Sequence, residues 1–187
     1  MQKYKGLFIV LGIVLLLVFA YVHYYNGFIA LEEEVNGKWA EIENNLQRRA
    51  DLIPNLVATV KGYARHEEEI FTEIAQARSR LLGAQGVADT VEASSAMESA
   101  LGRLLAIAEA YPELKADRSF LALQDELAGT ENRLSVARLR YNEAVKTYNT
   151  RIRRLPARIV AGMMGLEAKE YFQIEEAARA VPKVDFE

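Results

Sequence analysis

The first stretch of the chain is apolar and uncharged. Residues 6–22 read GLFIVLGIVLLLVFAYV, and no acidic or basic residue lies between Lys5 and Glu32. A helix needs roughly 17–25 apolar residues to cross a bilayer, so this pattern predicts one membrane-spanning helix over residues 6–26. The residues assigned to the membrane anchor are Gly6, Leu7, Phe8, Ile9, Val10, Leu11, Leu15, Leu16, Leu17, Val18 and Phe19.

A cleaved signal peptide is the alternative interpretation of this stretch. Lys3 and Lys5 would supply its basic start. Cleavage requires small residues spaced two apart, whereas Ala20 is followed by Tyr21 and Val22. We therefore favour an uncleaved anchor.

The charges that flank the anchor predict its orientation. Lys3 and Lys5 precede the apolar stretch, and Glu32, Glu33 and Glu34 follow it. Basic residues near a span favour the cytoplasmic side. We therefore expect a single-pass protein of the bacterial inner membrane, with its amino terminus in the cytoplasm and its carboxyl-terminal domain outside it.

Beyond the anchor, apolar residues recur at helical spacing. One face is formed by Leu31, Val35, Trp39, Ile42 and Leu46, and a later row runs from Phe120 to Leu155 in steps of three and four. The pattern predicts an all-α fold in which the anchor is followed by an up-and-down four-helix bundle of long antiparallel helices. The predicted boundaries are a basic tail at 1–5, the bundle at 27–182 and a loose end at 183–187.

Three positions bear on the boundaries of the helices. Asp51 either caps a new helix that has Pro54 in its first turn, or one long helix continues with a kink at Pro54. The segment 83–90, GAQGVADT, predicts a loop between antiparallel helices. Asp117 or Ser119 is the predicted cap of the last long helix.

Composition excludes several kinds of site. The chain has no cysteine, so disulfides, thiol nucleophiles and cysteine-based metal sites are absent from it. Its net charge is −3, and because Lys3 and Lys5 contribute two positive charges, the remainder carries −5. A mildly acidic domain is not typical of a protein that binds duplex nucleic acid. We expect no nucleic-acid partner.

Several segments resemble one family of bacterial proteins. The run RRADLIPNLVATVKGYARHE at 48–67 resembles the most characteristic motif of the LemA family, and the segments 108–138 and 141–149 resemble it in the same order. The resemblance implies a membrane-anchored four-helix bundle. Relatives among magnetosome membrane proteins imply a role in organising membrane or partner proteins. The resemblance implies no catalytic residue and no cofactor, and we assign none.

Two Tyr-Asn pairs are the most distinctive candidate site. Tyr141-Asn142 and Tyr148-Asn149 lie seven residues apart, which aligns the tyrosines on one helical stripe and the asparagines on the next. A buried tyrosine or asparagine can fix the packing of helices. The alternative is a groove that binds a ligand or partner, and core specification is the favoured interpretation.

Charged residues supply the remaining candidates. Arg48, Arg49, Asp51 and Pro54 lie in the family-like run and are candidates for interaction or core specification. His66-Glu67 begins like a zinc motif, but a second histidine four residues on is missing, so we expect a solvated acidic helical turn and no metal. The arginines late in the last long helix either attract anionic lipid headgroups or compensate the helix dipole.

Taken together, the pattern predicts a non-enzymatic scaffold or adaptor at the bacterial membrane. Its expected partners are the lipid bilayer, further copies of itself and other membrane or envelope proteins. The alternative is a membrane-tethered sensor or ligand-binding domain with a groove between bundle helices.

Overall fold

The computed structural model describes residues 2–64 and 66–173. The described helices are α1 Gln2–Tyr63, α2 Glu68–Gly83, α3 Gly86–Glu109, α4 Pro112–Lys115, α5 Arg118–Arg153 and α6 Ala157–Met163. The chain divides into two compact units. We call the described residues up to 40, together with 140–170, the anchor unit, and the described residues of 41–139 and 171–173 the core unit. The all-α prediction is confirmed. The predicted boundaries at 27 and 182 stay predictions, and the predicted loose end at 183–187 lies outside the described residues.

α1 is one continuous helix that passes through Pro54. Of the two structures that the sequence left open, the single long helix is correct and a helix cap at Asp51 is wrong. Asp51 is exposed inside the helix, where its carboxylate accepts a hydrogen bond of 3.0 Å from Gln47 Nε2. An interior proline removes a backbone hydrogen bond. Ile53 and Leu56, buried on either side of it, supply the packing that keeps this segment helical.

A break between α1 and α2 was not predicted. α1 ends at Tyr63 and α2 begins at Glu68, so the helical turn predicted at His66 and Glu67 is a non-helical connection. No glycine or proline lies between positions 63 and 68, so the pattern carries no breaker there. Ala64, the first residue after α1, is fully buried.

The predicted loop at 83–90 is much shorter in the structure. Only Ala84 and Gln85 separate α2 from α3, and Gly86 begins α3 with a positive φ of 76°. That φ is one that glycine adopts without strain. The carboxylate of Asp89 accepts a hydrogen bond of 2.9 Å from the backbone N–H of Gln85, and Thr90 donates to the Gly86 carbonyl. These two hydrogen bonds stabilise residues 86–90 as the first turn of α3.

The core unit contains the later part of α1, then α2, α3, α4 and the first part of α5. Its α1 and α5 segments run antiparallel, since Arg48 pairs with Glu126 whereas Tyr63, further along α1, bonds to Asp117. Fully buried side chains come from all five helices and include Ile42, Leu56, Ile74, Leu104, Leu114, Phe120 and Leu134. The predicted cap at Asp117 is confirmed, because its Oδ1 accepts hydrogen bonds from the N–H groups of Ser119 and Phe120.

The anchor unit contains the first part of α1, the end of α5, α6 and a non-helical segment. Large apolar side chains of residues 7–19 are 49–76% exposed, whereas Phe28 and Val35 further along the same helix are buried. α5 ends at Arg153, so Leu155, which was predicted on its apolar row, is exposed instead. α6 was not predicted, and the described residues 166–173 are non-helical.

Candidate functional site

The predicted tyrosine and asparagine stripe holds a non-helical segment of the anchor unit. We call residues 166–170 the strap. The Tyr141 hydroxyl donates a hydrogen bond of 2.9 Å to the carbonyl of Glu170. Asn149 bonds the strap twice, because its Nδ2 donates to the Lys169 carbonyl and its Oδ1 accepts from the Lys169 N–H, each at 2.9 Å. The side chain of Asn149 thus pairs with the backbone of Lys169 much as a neighbouring strand would.

The side chain of Lys169 ties the strap to α1 as well. Its Nζ lies 2.7 Å from the Glu32 carboxylate and 5.7 Å from the centroid of the Tyr148 ring. The ring of Tyr141, which is part of the stripe, packs against Trp39 of α1, and the two ring centroids lie 5.3 Å apart. The strap is therefore fixed by backbone bonds, an ion pair and aromatic contacts within one unit.

The tyrosines of the stripe are held in their neutral form. Burial raises the pKa of Tyr141 above its ordinary value of 10.0, and the Glu170 carboxylate adds to the rise. Burial likewise raises the pKa of Tyr148, with Glu32 reinforcing the rise and Lys169 opposing it. Because Tyr141 stays protonated at neutral pH, its hydroxyl remains a donor to the strap.

The residues of the two Tyr-Asn pairs lie mostly inside the protein. Tyr141, Tyr148 and Asn149 are buried and Asn142 is half-buried. The polar groups that a ligand groove would need on Tyr141 and Asn149 are used by the chain's own strap. The partners Lys169 and Glu170 were not predicted, because nothing in a non-helical segment twenty residues away marks them.

A second polar cluster lies inside the core unit and joins α1, α3 and α5. Arg49 forms ion pairs with Glu131 and, at 3.5 Å, with Glu98. Arg138 lies 3.6 Å from each of the same two carboxylates. The side chains of Arg49 and Arg138 are only 10% and 9% exposed, whereas Glu98 and Glu131 are 34% and 38% exposed. We call these four residues the arginine cluster.

Arg138 makes further contacts at the edge of the cluster. Its Nη2 donates a hydrogen bond of 2.9 Å to the hydroxyl of Ser94, and its guanidinium lies 4.8 Å from the Phe172 ring. Burial lowers the pKa of Arg138, with Glu131 and Glu98 opposing the change. The Nε atoms of Arg49 and Arg138 are buried without a hydrogen-bond partner among the described residues. The cluster is thus neutralised in charge but not fully satisfied in hydrogen bonding.

The other candidates from the family-like run lie outside this cluster. Arg48 is exposed and pairs with Glu126 at 2.8 Å, while Asp51 and Pro54 are exposed on α1. Arg49 does occupy a core position, because the buried row on α1 steps through Ile42, Leu46, Arg49, Ile53, Leu56 and Val60. An arginine in an otherwise apolar row of helical spacing was the signal that could have identified a buried ion pair.

The described residues offer no group of three or more His, Asp or Glu side chains placed to hold a metal ion. His66 and the glutamates beside it lie at the connection before α2 and in its first turn. A surface groove borders this region and is lined by Lys61, Glu68, Phe71, Thr72 and Ala75. Lys61 Nζ lies 5.0 Å from the centroid of the Phe71 ring, so a cation of the chain itself covers the only aromatic face that lines the groove.

Comparison with known proteins gives matches along most of the chain. The sequence model of the LemA family matches residues 38–186. Two proteins of Paramagnetospirillum magneticum, described as magnetosome proteins MamQ 1 and MamQ 2, are each 28% identical over 179 residues, and the alignment covers 82% of this chain and 66% of each relative. Protein LemA of Metamycoplasma hominis is 27% identical over 162 residues, covering 86% of this chain and 74% of the relative. The chain thus spans slightly less than two thirds of the length of the magnetosome relatives.

Proposed function

The chain belongs to the LemA family, and from that premise we propose that it is a non-enzymatic scaffold or adaptor anchored in the bacterial membrane. In this role it assembles with further copies of itself or recruits other membrane or envelope proteins. The description of two relatives as magnetosome proteins supports a role at a membrane.

The observation that carries the proposal is the continuity of α1. Within the described residues it is the helix that is long and apolar enough to cross a membrane, and its most apolar window is not buried by any part of the structure. The same helix continues without a break to Phe28 and Val35, which are buried in the anchor unit. A continuous helix, unlike a flexible linker, holds the packed residues of this unit at a fixed height above the bilayer. Such a mounting suits a protein that presents a surface to partners.

The two polar clusters also support a structural role. Tyr141 and Asn149 bind the strap, while Arg49 pairs with Glu131 of α5 and Arg138 with Glu98 of α3. Side chains that are committed to such bonds stabilise one arrangement of the chain. They are not poised to bind or transform a small molecule, so this use of them favours a scaffold over a ligand-binding domain.

The orientation that we propose follows from the flanking charges, with the amino terminus in the cytoplasm and the bundle outside it. Ala40 is exposed on α1 and the chain has no cysteine, so Ala40→Cys supplies a single reactive thiol. A membrane-impermeant maleimide should label this variant in intact spheroplasts. Labelling that occurs only after the membrane is opened would reverse the proposed orientation.

The size of the protein in its native membrane tests the scaffold role. The full chain is extracted with surrounding lipid in polymer-bounded discs, after cross-linking in cells, and measured by mass photometry with imaging of the same sample. We expect discrete species larger than the 21.0 kDa of one chain and its lipid disc. A single copy without a cross-linked partner would contradict the scaffold role.

A further inference from the structure

A row of apolar side chains is exposed where α5 turns into α6. Leu155, Ile159 and Met163 are 75%, 57% and 72% exposed, and their spacing of four residues places Ile159 and Met163 on one face of α6. The opposite face is buried by Ala157, Val160 and Ala161. α6 therefore buries one face and leaves an apolar stripe of Ile159 and Met163 uncovered, with Leu155 exposed just before the helix. We call residues 151–163 the corner.

The rim of this stripe is basic. Four exposed arginines, Arg151, Arg153, Arg154 and Arg158, lie in the corner. No acidic residue occurs between Glu143 and Glu167. An exposed apolar stripe in a segment whose charged residues are all basic has the composition of helices that lie in the interface of anionic membranes.

The corner lies beside the end of the predicted span. The guanidinium of Arg151 is 5.3 Å from the centroid of the Tyr24 ring, and Tyr24 follows the apolar stretch by two residues. A groove of about 790 Å³ has Gly27 and Leu31 of α1 on one side, and its charged lining residues are Glu143, Lys146 and Arg151 of α5 and Arg154 just beyond the end of α5. Arg151 and Arg154 of the corner thus lie beside α1 at the level where a membrane-spanning helix would leave the hydrocarbon.

We propose that the corner is a second membrane contact, in which Leu155, Ile159 and Met163 enter the headgroup layer and the arginines bind phosphate groups of anionic lipids. The contact rests on α1 being a membrane span, which is part of the proposed function. Arginine side chains can place their apolar stems along the stripe while the guanidinium reaches the phosphates. With α1 and the corner both in the bilayer, the anchor unit is held at two points and cannot rotate freely about the axis of α1.

Lipid-dependent quenching of single labels tests the apolar part of the contact. Ile159→Cys and Met163→Cys receive an environment-sensitive fluorophore in the full-length protein, which is reconstituted in phosphatidylcholine and phosphatidylglycerol vesicles with and without a lipid that carries a nitroxide near its headgroup. Ala40→Cys is the control in the same unit, since 15 residues of helix separate it from Tyr25, about 22 Å at 1.5 Å per residue. Phe19→Cys is the control inside the apolar stretch.

Labels at 159 and 163 should be blue-shifted and quenched at least about twofold more than the label at 40, because interfacial helices bury their apolar face about 5–10 Å into the boundary of the acyl chains. Equal quenching at 159, 163 and 40, with strong quenching at 19, would overturn the corner contact and leave the span intact. A blue shift at 159 without quenching would also overturn it, because another protein surface would then cover the stripe. Absence of quenching at 19 would show that α1 does not span the membrane, and this result would contradict the proposed function as well.

The charge part of the contact has its own test. The triple substitution Arg153→Gln, Arg154→Gln and Arg158→Gln is added to Ile159→Cys, and quenching is compared between vesicles with and without phosphatidylglycerol. Quenching at 159 should increase with the anionic lipid in the parent, decrease at high salt, and lose this dependence in the triple variant. An unchanged dependence in the triple variant would show that these arginines do not bind the headgroups.

Discussion

Arginines in the two units have opposite surroundings. In the core unit, Arg49 and Arg138 are buried between helices and share the carboxylates of Glu98 and Glu131. In the anchor unit, the arginines of the corner are exposed beside an apolar stripe. The difference shows that residue type alone does not define a role. Burial with carboxylates makes arginine a link between helices, whereas exposure beside apolar side chains makes it a candidate for lipid contact.

Burial also makes the arginine cluster sensitive to the loss of any one member. Removing one arginine leaves Glu98 and Glu131 to share a single counter-charge, which costs more than the pair itself contributes. The cluster joins α1, α3 and α5, so its loss also removes a link among three helices.

Arg49→Ala should have the largest effect. We expect a loss of about 3 kcal/mol in the free energy of unfolding, the low end of the range for breaking a buried ion pair, because Glu98 and Glu131 are partly exposed. The loss is measured by urea unfolding of the full-length protein in detergent, followed by circular dichroism.

Arg48→Ala is the matched control for that substitution. Arg48 is the preceding residue and has a close ion pair with Glu126, but the side chains are 63% and 39% exposed. A surface pair contributes about 0–1 kcal/mol, so this variant should remain near the parent. Equal losses in Arg48→Ala and Arg49→Ala would contradict the role assigned to burial.

Asn149→Ala should have the next largest effect, and it should act on the strap. The substitution removes both hydrogen bonds to the Lys169 backbone, and we expect a loss of about 2 kcal/mol because partly buried backbone groups lose their partners. Hydrogen exchange at the Lys169 amide should become faster, which mass spectrometry of the strap peptide can detect.

Two other variants on α5 serve as controls for Asn149→Ala. Tyr141→Phe removes only the hydroxyl that donates to Glu170, so the Lys169 amide should stay protected. Thr147→Ala removes an exposed hydroxyl that bonds within α5, at the Glu143 carbonyl, and should leave the strap unchanged. If the Lys169 amide exchanges as slowly in Asn149→Ala as in Thr147→Ala, Asn149 does not hold the strap.

Asp117→Ala should have the smallest effect and should depend on pH. Hydrogen bonds, first from the Phe120 N–H and then from the Tyr63 hydroxyl, lower the pKa of Asp117 below 3.8. Its stabilising contribution is therefore complete above 3.8 and is lost as the pH falls through the lowered value. The urea midpoint of Asp117→Ala should be below that of the parent at neutral pH, and the difference should shrink in acid.

The hydrogen bond from Tyr63 to Asp117 also predicts a loss of stability at alkaline pH. This hydrogen bond raises the pKa of Tyr63 above 10.0, so its contribution is complete below 10.0 and is lost as the pH rises through the raised value. Asp117→Asn keeps an oxygen that can cap α5 and should lose less stability than Asp117→Ala. A deficit of Asp117→Ala that is the same from acid to neutral pH would contradict a role for the ionised carboxylate.

Periodicity predicted much of the helical core but not the ends of the helices. The row on α5 from Phe120 to Ile152 is buried nearly as expected, because burial repeats with the helix itself. At Pro54 the lost backbone hydrogen bond favours a break in the helix, whereas the burial of Ile53 and Leu56 favours a continuous helix. The sequence pattern does not show which of the two effects is larger. Leu155 continues the spacing of the row but lies beyond the end of α5, so spacing alone misplaced it.

The sequence identified one partner of each contact in the candidate sites but not the other partner. The spacing of seven residues selected Tyr141, Tyr148 and Asn149, but the strap residue Lys169 has no periodic signal. Arg49 was selected, whereas Glu131 looks like any solvated glutamate. Pairing between distant segments depends on the fold, which no local pattern contains.

Retention of the first helix is the claim on which both the scaffold and the corner contact depend. Membranes are washed at alkaline pH, and the protein that remains is extracted for intact mass and peptide analysis. We predict that it stays with the washed membranes and that its mass includes the apolar residues 7–19. A protein released by the wash, and lacking these residues, would contradict the account.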